Sequence, residues 1–398
     1  MAGLGQRTLR LAILVVLPAT LAVSARATEL VLAHFVSTNH PMHRAVFVPL
    51  AARLLSDSGG ELTLRINPGL SDPARQYQRV TNREADLVFG LPDYTPELFP
   101  RTRLIELPEL AHDPGAATRM LGNGLPRTLA PEYSAVIPLG LWVGEPAVLV
   151  SSGRAIHTLA DVAGRRIRVA DPGAARLVEL WGATPVILTA NQILPAFQNS
   201  EIDAALIGAS GIAPFQLDTV AKACTLNLPV VLTSFYLLMN RQAWEALPAA
   251  QQEVLRAATG LTLSLSATSA YDEAGRDGLT KLQQANAEIV ELTPEQTAPF
   301  QAGSRTVVEE SLGLVTAQGI DGQKVLENFR PRLTVTRAVS SVEIRAHGAQ
   351  GLVYGLSGSV DLVTWTPLDV RVGDGEGEAM WSVPLVGANA RVLRAEVR

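Results

Sequence analysis

Three arginines lie within the segment GRRIRVADPG, residues 164–173, of a chain that is otherwise sparsely charged. Ile167 and Val169 alternate with two of them, which predicts a strand with Arg166 and Arg168 on one side and the aliphatic residues on the other. Arg168 is the last charge before this strand ends. A guanidinium there can hold a carboxylate through two parallel hydrogen bonds, a geometry that a lysine ammonium cannot offer.

The residues after this strand predict a helix that fixes where the strand ends. Asp171 is a typical N-cap, Pro172 suits the first helical position, and Gly182 follows the last turn. Asp171 also provides an alternative interpretation of Arg168, namely a structural ion pair between the two side chains. The other two arginines of the segment are expected to be surface charges.

The sequence contains no catalytic signature of the phosphate-binding-loop, nucleophile-elbow or zinc-protease kind. Cys224 is the only cysteine and has Lys222 as its only basic neighbour, so a nucleophile, a disulfide and a cysteine-based zinc site are not expected. His40 and His43 of HPMH could offer two metal ligands, but a proline between two histidines at a helix start favours surface histidines. We therefore expect no enzyme, no metal and no cofactor.

Composition and the first residues indicate an exported protein. The chain has 398 residues, 47% of them hydrophobic and 18% charged, with a formal net charge of −5. It has no long basic run, which argues against nucleic acid as a partner. Residues 1–27 are typical of a cleaved signal peptide: Arg7 and Arg10 precede the apolar run 11–23, and a small-x-small site lies at 25–27. The alternative is an uncleaved membrane anchor.

Residues 28–330 alternate short apolar runs with helical patterns, which predicts an α/β fold with mostly parallel sheets. Helices are expected at 42–55 and 192–198 and throughout the tract 241–289. Candidate strands lie at 29–35, 61–66, 86–90, 135–142, 147–150, 165–169, 185–189, 203–207 and 230–239.

The last 68 residues, 331–398, lose the helical period and predict a small all-β sandwich. Residues 391–397 alternate as a strand would, and 373–377 is a candidate hairpin turn. The stretch LSGSVDLVTWTPL resembles β-domains appended to other exported bacterial proteins, with Trp365 as a core residue. The partner of this domain is unknown from sequence.

Six segments carry a resemblance to one family over residues 28–330. In chain order they are HFVSTNHPMHRAVFVPLAARLLSDSGGELTLRINPG, READLVFGLPDYTPELFPRTRLIELPEL, IHTLADVAGRRIRV, NSEIDAAL, YLLMNRQAWEALPAAQQEVL and GIDGQKVLENFR. Together they resemble the DctP-type solute-binding proteins of tripartite ATP-independent periplasmic (TRAP) transporters. The resemblance implies a two-lobed periplasmic-binding-protein fold, with a second lobe at about 151–230 and a long helix spanning both lobes. It also implies closure on a small organic acid, in the periplasm, and its delivery to membrane permease subunits driven by an ion gradient.

The resemblance also assigns binding residues. In the family, the second basic residue of the G-x-[KR]-[ILV]-R-V strand holds the ligand carboxylate, and this residue is Arg168 here. Val148, Ile207 and Gly208 stand where some members have further polar groups, which implies a less polar pocket and argues against a polyol ligand. Four further residues are expected in the pocket, although each could instead belong to the core: Phe35, Tyr94, Ser210 and Phe235.

The sequence thus predicts a binding protein for a small carboxylate. The alternative is an exported sensor or scaffold without a transport role, acting through the C-terminal β-domain.

Overall fold

The structure is a computed structural model that describes residues 27–69, 72–111, 113–229 and 232–330, together with six strands of the C-terminal part. The strands of the main part are β1 (Thr28–Ala33), β2 (Leu62–Asn67), β3 (Leu87–Gly90), β4 (Val136–Val143), β5 (Ala147–Ser151), β6 (Arg166–Val169), β7 (Thr184–Ile187), β8 (Ala204–Gly208), β9 (Ala223–Leu226), β10 (Ser234–Asn240) and β11 (Glu288–Glu291).

The α-helices are α1 (Val48–Asp57), α2 (Gln76–Thr81), α3 (Pro114–Gly124), α4 (Leu159–Val162), α5 (Pro172–Leu180), α6 (Ile193–Gln198), α7 (Arg241–Glu245), α8 (Ala249–Ala258), α9 (Gly260–Gln284), α10 (Pro294–Gln301), α11 (Ser304–Ala317) and α12 (Gly322–Phe329). A π-helical turn, Met42–Phe47, leads into α1. No helix of the described residues combines the length and the apolar character that a bilayer span requires.

Two mostly parallel sheets organise the main part, as expected. The first has the order β2-β1-β3-β10-β4, with β10 antiparallel to both of its neighbours. The second has the order β11-β9-β5-β8-β6-β7, with β5 as its antiparallel strand. Each sheet and the helices packed on it form one lobe, so the two-lobed α/β fold is confirmed.

The chain passes between the lobes four times: from β4 to β5, from β9 to β10, from α9 to β11, and from α11, which packs on α5, to α12, which packs on α3. The second lobe also contains β11, which lies outside the range of about 151–230 that was predicted for this lobe.

Helix α9 spans both lobes. Its 25 residues correspond to a length of about 37 Å at 1.5 Å per residue. It packs against β4 and α3 of the first lobe and against the turn 209–211 after β8 of the second. A Cβ atom on Gly278 would lie 2.1 Å from the carbonyl oxygen of Ala209, so only glycine permits this close approach.

The strands β9 and β11 were not predicted from the sequence. Strand β10 begins at Ser234, later than the predicted start at residue 230. Both missed strands have four residues and form one edge of the second sheet, so their patterns are too short to distinguish from loops. Cys224 lies in β9 and is fully buried, and burial raises the pKa of its thiol to about 12. This environment fits the expectation of an unreactive cysteine.

The described C-terminal strands form two three-stranded antiparallel sheets. They are β12 (Arg332–Arg337), β13 (Ser341–His347), β14 (Val353–Ser359), β15 (Thr366–Val372), β16 (Glu378–Pro384) and β17 (Val392–Val397), in the orders β12-β13-β16 and β15-β14-β17. Ile344 and Ala346 are buried on either side of the exposed Arg345, so one face of the first sheet is covered.

The candidate hairpin turn at 373–377 lies outside the described residues, and the strands before and after it, β15 and β16, pair with β14 and β13. Residues 1–26, which hold nearly all of the predicted signal peptide, and Trp365 lie outside the described residues.

The main part ends on fixed contacts at Phe329 and Arg330. Phe329 is fully buried, its carbonyl accepts a hydrogen bond from the Asn123 side chain (3.0 Å), and the Arg330 carbonyl accepts one from Arg127 (3.0 Å). We therefore predict that a chain ending at Arg330 melts cooperatively within a few degrees of the intact protein, measured by calorimetry. Loss of the cooperative transition would contradict the predicted domain boundary at 330.

The close approach of α9 predicts opposite effects for two glycine-to-alanine changes. G278A forces a methyl group against the Ala209 carbonyl and should destabilise the protein by about 1–3 kcal/mol. G313A adds the same methyl group to the exposed face of α11, where no atom lies within 4 Å, and should stabilise by up to about 1 kcal/mol. Urea unfolding of both variants measures this difference. A G278A variant as stable as the wild type would rule out the close packing of α9.

Candidate functional site

A cavity with about 600 Å³ of space not filled by atoms, part of it open to solvent, lies between the two lobes. The first lobe, the second lobe, the connecting segments and α9 all line it. The lining residues are Phe35, Val36, His40, Phe89, Leu91 and Tyr94 of the first lobe, Arg168, Ala170, Ala190, Ile207, Gly208, Ser210, Gly211 and Phe215 of the second, and Gly144, Glu145, Thr233, Phe235 and Tyr271 between them.

Arg168 lies at the carboxyl end of β6, as the alternating pattern predicts. Ile167 and Val169 are fully buried in the core of the second lobe, and Arg168 lies in the cavity wall with 3% exposure. Its Nε and Nη2 donate to the Leu188 carbonyl (2.9 and 2.7 Å), and its Nη1 donates to the Leu206 carbonyl (2.9 Å). These bonds use three of the five N–H groups of a guanidinium, and the Tyr94 side chain shares a further hydrogen bond with it.

Within the part of the chain that the structure describes, Arg168 forms no ion pair. Burial lowers the pKa of its guanidinium, and Tyr94, Asp93 and Asp171 oppose this shift only in part. The alternative pairing with Asp171 is wrong, because Asp171 binds Arg103 at 2.7 Å and caps α5 through the backbone N–H groups of Gly173 and Ala174. A buried cation without a counter-ion is an arrangement that attracts an anion.

Tyr94 adds a hydroxyl beside this guanidinium. Its oxygen accepts a hydrogen bond from the Ala190 backbone N–H (3.0 Å), which joins the first lobe to the second. Burial raises the pKa of this phenol, although the neighbouring Arg168 opposes the shift. Tyr94 therefore stays protonated, and its hydroxyl can donate to an anion held by Arg168.

Aromatic rings form the wall that faces this polar corner. Phe35 stacks on Phe89 at 5.4 Å between ring centroids, and Phe89 stacks on Phe235 at 5.9 Å. Phe235 in turn stacks on Tyr271 of α9 at 4.7 Å. Such a surface favours a flat apolar group over a hydroxyl-rich one.

Two histidines near the cavity differ from the sequence expectation. His40 is 4% exposed, and its ring lies edge-on to Phe215 and Tyr271, so it is not a surface residue. His43 is half-buried and shares a hydrogen bond with His34 (3.0 Å). The buried Met42 turns this segment inward, which the HPMH pattern did not reveal. Burial lowers the pKa of His40 to about 3, so its ring stays neutral.

All five residues predicted for the site, Phe35, Tyr94, Arg168, Ser210 and Phe235, line this one cavity. Their role in ligand binding stays a prediction. Sequence reasoning missed Glu145, which is the only charged residue in the apolar stretch 135–150 and could have been noticed for that reason. It also missed Tyr271, since nothing in the pattern of α9 distinguishes the position. Among the described residues, no group of three or more metal-ligating side chains could hold a metal ion.

A second polar cluster links the lobes beside the cavity. Arg103 of the first lobe contacts Asp93 (3.2 Å), Glu106 (3.6 Å) and Asp171 of the second lobe (2.7 Å). Burial raises the pKa of Asp171 to about 6, Asp93 adds to the shift and Arg103 opposes it. Burial also raises the pKa of Glu106 well above its usual value. One cation thus holds several carboxyl groups, some of them protonated, at the contact between the lobes.

This cluster predicts a pH dependence of stability. Because the pKa of Asp171 is higher in the folded protein (about 6) than its usual 3.8, its contribution to stability is full below about pH 4 and is lost as the pH rises through 6. D171N keeps an N-cap but cannot titrate. The free energy of unfolding of the wild type, relative to D171N, should therefore be larger at pH 4.5 than at pH 7.5.

Urea unfolding at both pH values tests this, with D277N, a change on the exposed face of α9, as the control. A wild-type advantage over D171N that is the same at both pH values would contradict the role of Asp171.

Solved structures share this fold. A TRAP solute-binding protein from a marine metagenome, specific for aromatic acid ligands and crystallised with 3-hydroxybenzoate, is 21% identical, with a TM-score of 0.74 over 76% of this chain and 97% of that one. A TRAP solute-binding protein from Rhodoferax ferrireducens T118, in complex with copurified benzoate, is 20% identical, with a TM-score of 0.74 over 76% of this chain and 96% of that one.

Sequence comparison identifies the family. A solute-binding protein of Albidiferax ferrireducens is 24% identical over 271 residues, which are 66% of this chain and 79% of that protein. The profile of the bacterial extracellular solute-binding proteins of family 7, the DctP family, matches residues 32–312. Since this match covers well over half of the chain and agrees with the resemblance read from the sequence, the protein belongs to the DctP family of extracellular solute-binding proteins.

Proposed function

We propose that this protein captures a small aromatic carboxylate between its lobes, in the periplasm, and delivers it to the membrane permease subunits of a TRAP transporter. The observation that carries the proposal is Arg168, a buried guanidinium in a cavity wall whose hydrogen bonds go to neutral groups and which has no carboxylate partner among the described residues. The ligand's carboxylate completes this pairing.

The remainder of the cavity favours an aromatic ligand over a sugar acid. Phe35, Phe89, Phe235 and Tyr271 provide stacked faces, while the polar groups are few. Two solved proteins of the same fold bind benzoate and 3-hydroxybenzoate, which supports this class. A ring between aromatic walls with a carboxylate on Arg168 buries apolar area and satisfies the charge in one pose.

The signal peptide expected at residues 1–27 would place the protein in the periplasm. Binding without turnover is in keeping with the family and with the lack of a catalytic signature in the sequence. We expect the ligand to be recovered chemically unchanged after prolonged incubation with the protein, as measured by NMR. Any conversion of the ligand would contradict binding without turnover.

A second candidate function is an exported sensor or scaffold that uses the same cavity. The observation that favours it is the C-terminal pair of sheets, which lies beyond residue 312, where the family match ends. Permease genes beside this gene favour transport, and a membrane sensor gene there favours the second candidate.

The proposal predicts that Arg168 dominates affinity. R168A removes one partner of a buried, charge-assisted contact and should weaken binding of benzoate or 3-hydroxybenzoate by about 30-fold to several thousandfold, or 2–5 kcal/mol. R168K should also bind poorly, because an ammonium cannot reproduce the planar fork.

R165A is the matched control, since the Arg165 guanidinium binds Ser151 and the Arg154 carbonyl outside the cavity. Calorimetric titration measures the affinities once thermal melting has shown each variant to be folded. R168A binding within threefold of the wild type would make this arginine structural and would refute the proposal.

A further inference from the structure

Glu145 is the cavity residue that the proposed function leaves unexplained. A carboxyl group in the wall of a site for a carboxylate repels the ligand if it is ionised and loses solvation when the lobes close. The neighbouring residues nevertheless hold the Glu145 carboxyl group in a defined position. We infer that this group has a role other than attracting charge.

The surroundings of Glu145 hold its carboxyl group in one position. It lies in the connection between β4 and β5, and its Oε1 accepts a hydrogen bond from the Ser210 backbone N–H (2.7 Å). A Cβ atom on Gly208 would lie 2.6 Å from Oε1, and one on Gly275 would lie 3.4 Å from the Glu145 Cγ. Gly208 of β8 therefore makes room for this side chain, and Gly275 of α9 lies beside it.

The carboxyl group keeps unused hydrogen-bonding capacity. Its two oxygens can accept about four hydrogen bonds, and those donated by the described residues all come from Ser210 and from the backbone of Glu145 itself. No cation of the described residues pairs with it. Burial raises its pKa to about 7, the Ser210 bonds oppose the shift, and Asp272 adds to it. A donor from the ligand would offset the cost of this buried group.

His40 provides a hydrogen-bond donor near Tyr271. Its Nδ1 accepts the Met42 backbone N–H (3.2 Å), which places the ring proton on Nε2 and makes that nitrogen a donor. The Tyr271 ring contacts His40 at 5.9 Å between centroids, and His40, Glu145 and Tyr271 all line the same cavity. Burial raises the pKa of the Tyr271 phenol, and the Glu145 carboxyl adds to the shift. Arg168 lies instead beside Tyr94.

We propose that Glu145 is a specificity-determining residue that accepts a hydrogen bond from a hydroxyl or amino group on the ligand, away from the carboxylate that Arg168 holds. A ligand hydroxyl there donates to Glu145 and accepts from His40. The favoured ligands are thus aromatic acids that carry a second, hydrogen-bond-donating group. This inference rests on the proposed function, because it takes the Arg168 contact as given.

A panel of matched acids tests it by calorimetry at pH 7.5 on the full mature protein. The panel contains benzoate, the three hydroxybenzoates, the three aminobenzoates, the three methoxybenzoates, which lack the donor, and isophthalate, which carries a second acceptor. At least one hydroxy or amino isomer should bind tenfold or more tighter than both benzoate and its methoxy counterpart.

The E145Q variant, nearly identical in shape, should reduce that ratio to within threefold, and benzoate should still bind. D277N makes the corresponding acid-to-amide change on the exposed face of α9, at a residue that does not line this cavity, and should keep the full ratio. Thermal melting confirms that both variants are folded.

Three results would overturn the inference. If the wild type binds benzoate as tightly as every substituted isomer, the cavity does not recognise a hydroxyl or amino donor on the ligand. An E145Q variant that keeps the ratio would assign the preference to another residue. Isophthalate as the tightest ligand would make Glu145 a proton donor. If no aromatic acid binds, benzoate included, the proposed function fails and this inference fails with it.

Discussion

The chemistry of the cavity depends on one guanidinium. It is buried against neutral carbonyls and has no carboxylate partner in the described chain. Arg168 has its three hydrogen bonds to Leu188 and Leu206 because β6 ends between the strand β8 and the segment that follows β7. Carbonyl dipoles offset part of the desolvation cost of the cation, but not its charge. In the proposed function, the carboxylate of the ligand supplies the missing negative charge.

Contacts between the lobes also join groups beside the cavity that belong to different lobes. Tyr94 reaches Ala190 beside the cavity, and Arg103 reaches Asp171 next to it. Asp171 is held both by this contact and by the first turn of α5, so the helix that follows the binding strand is positioned by the opposite lobe. Helix α9 packs on both lobes, and the two connections near Glu145 and Phe235 line the cavity, so the hinge region and the binding site share residues.

The parts of this arrangement that depend on local pattern could be predicted from the sequence. The alternation around Arg168, the cap at Asp171 and the end of the following helix at Gly182, which adopts a positive φ of 83°, are all encoded within twenty residues. Glu145, His40 and Tyr271 could not be predicted in the same way, because the crossings between lobes and the path of α9 bring them together from distant segments.

We propose that the cavity binds a negatively charged carboxylate through Arg168. The most direct measurement changes the ligand and leaves the protein intact: calorimetric titration of the wild type with benzoate and with benzamide, which has nearly the same shape but no charge. The account predicts that benzoate binds at least about 30-fold more tightly than benzamide, which corresponds to the loss of a buried charge-assisted contact. Equal affinity for the two compounds would contradict it.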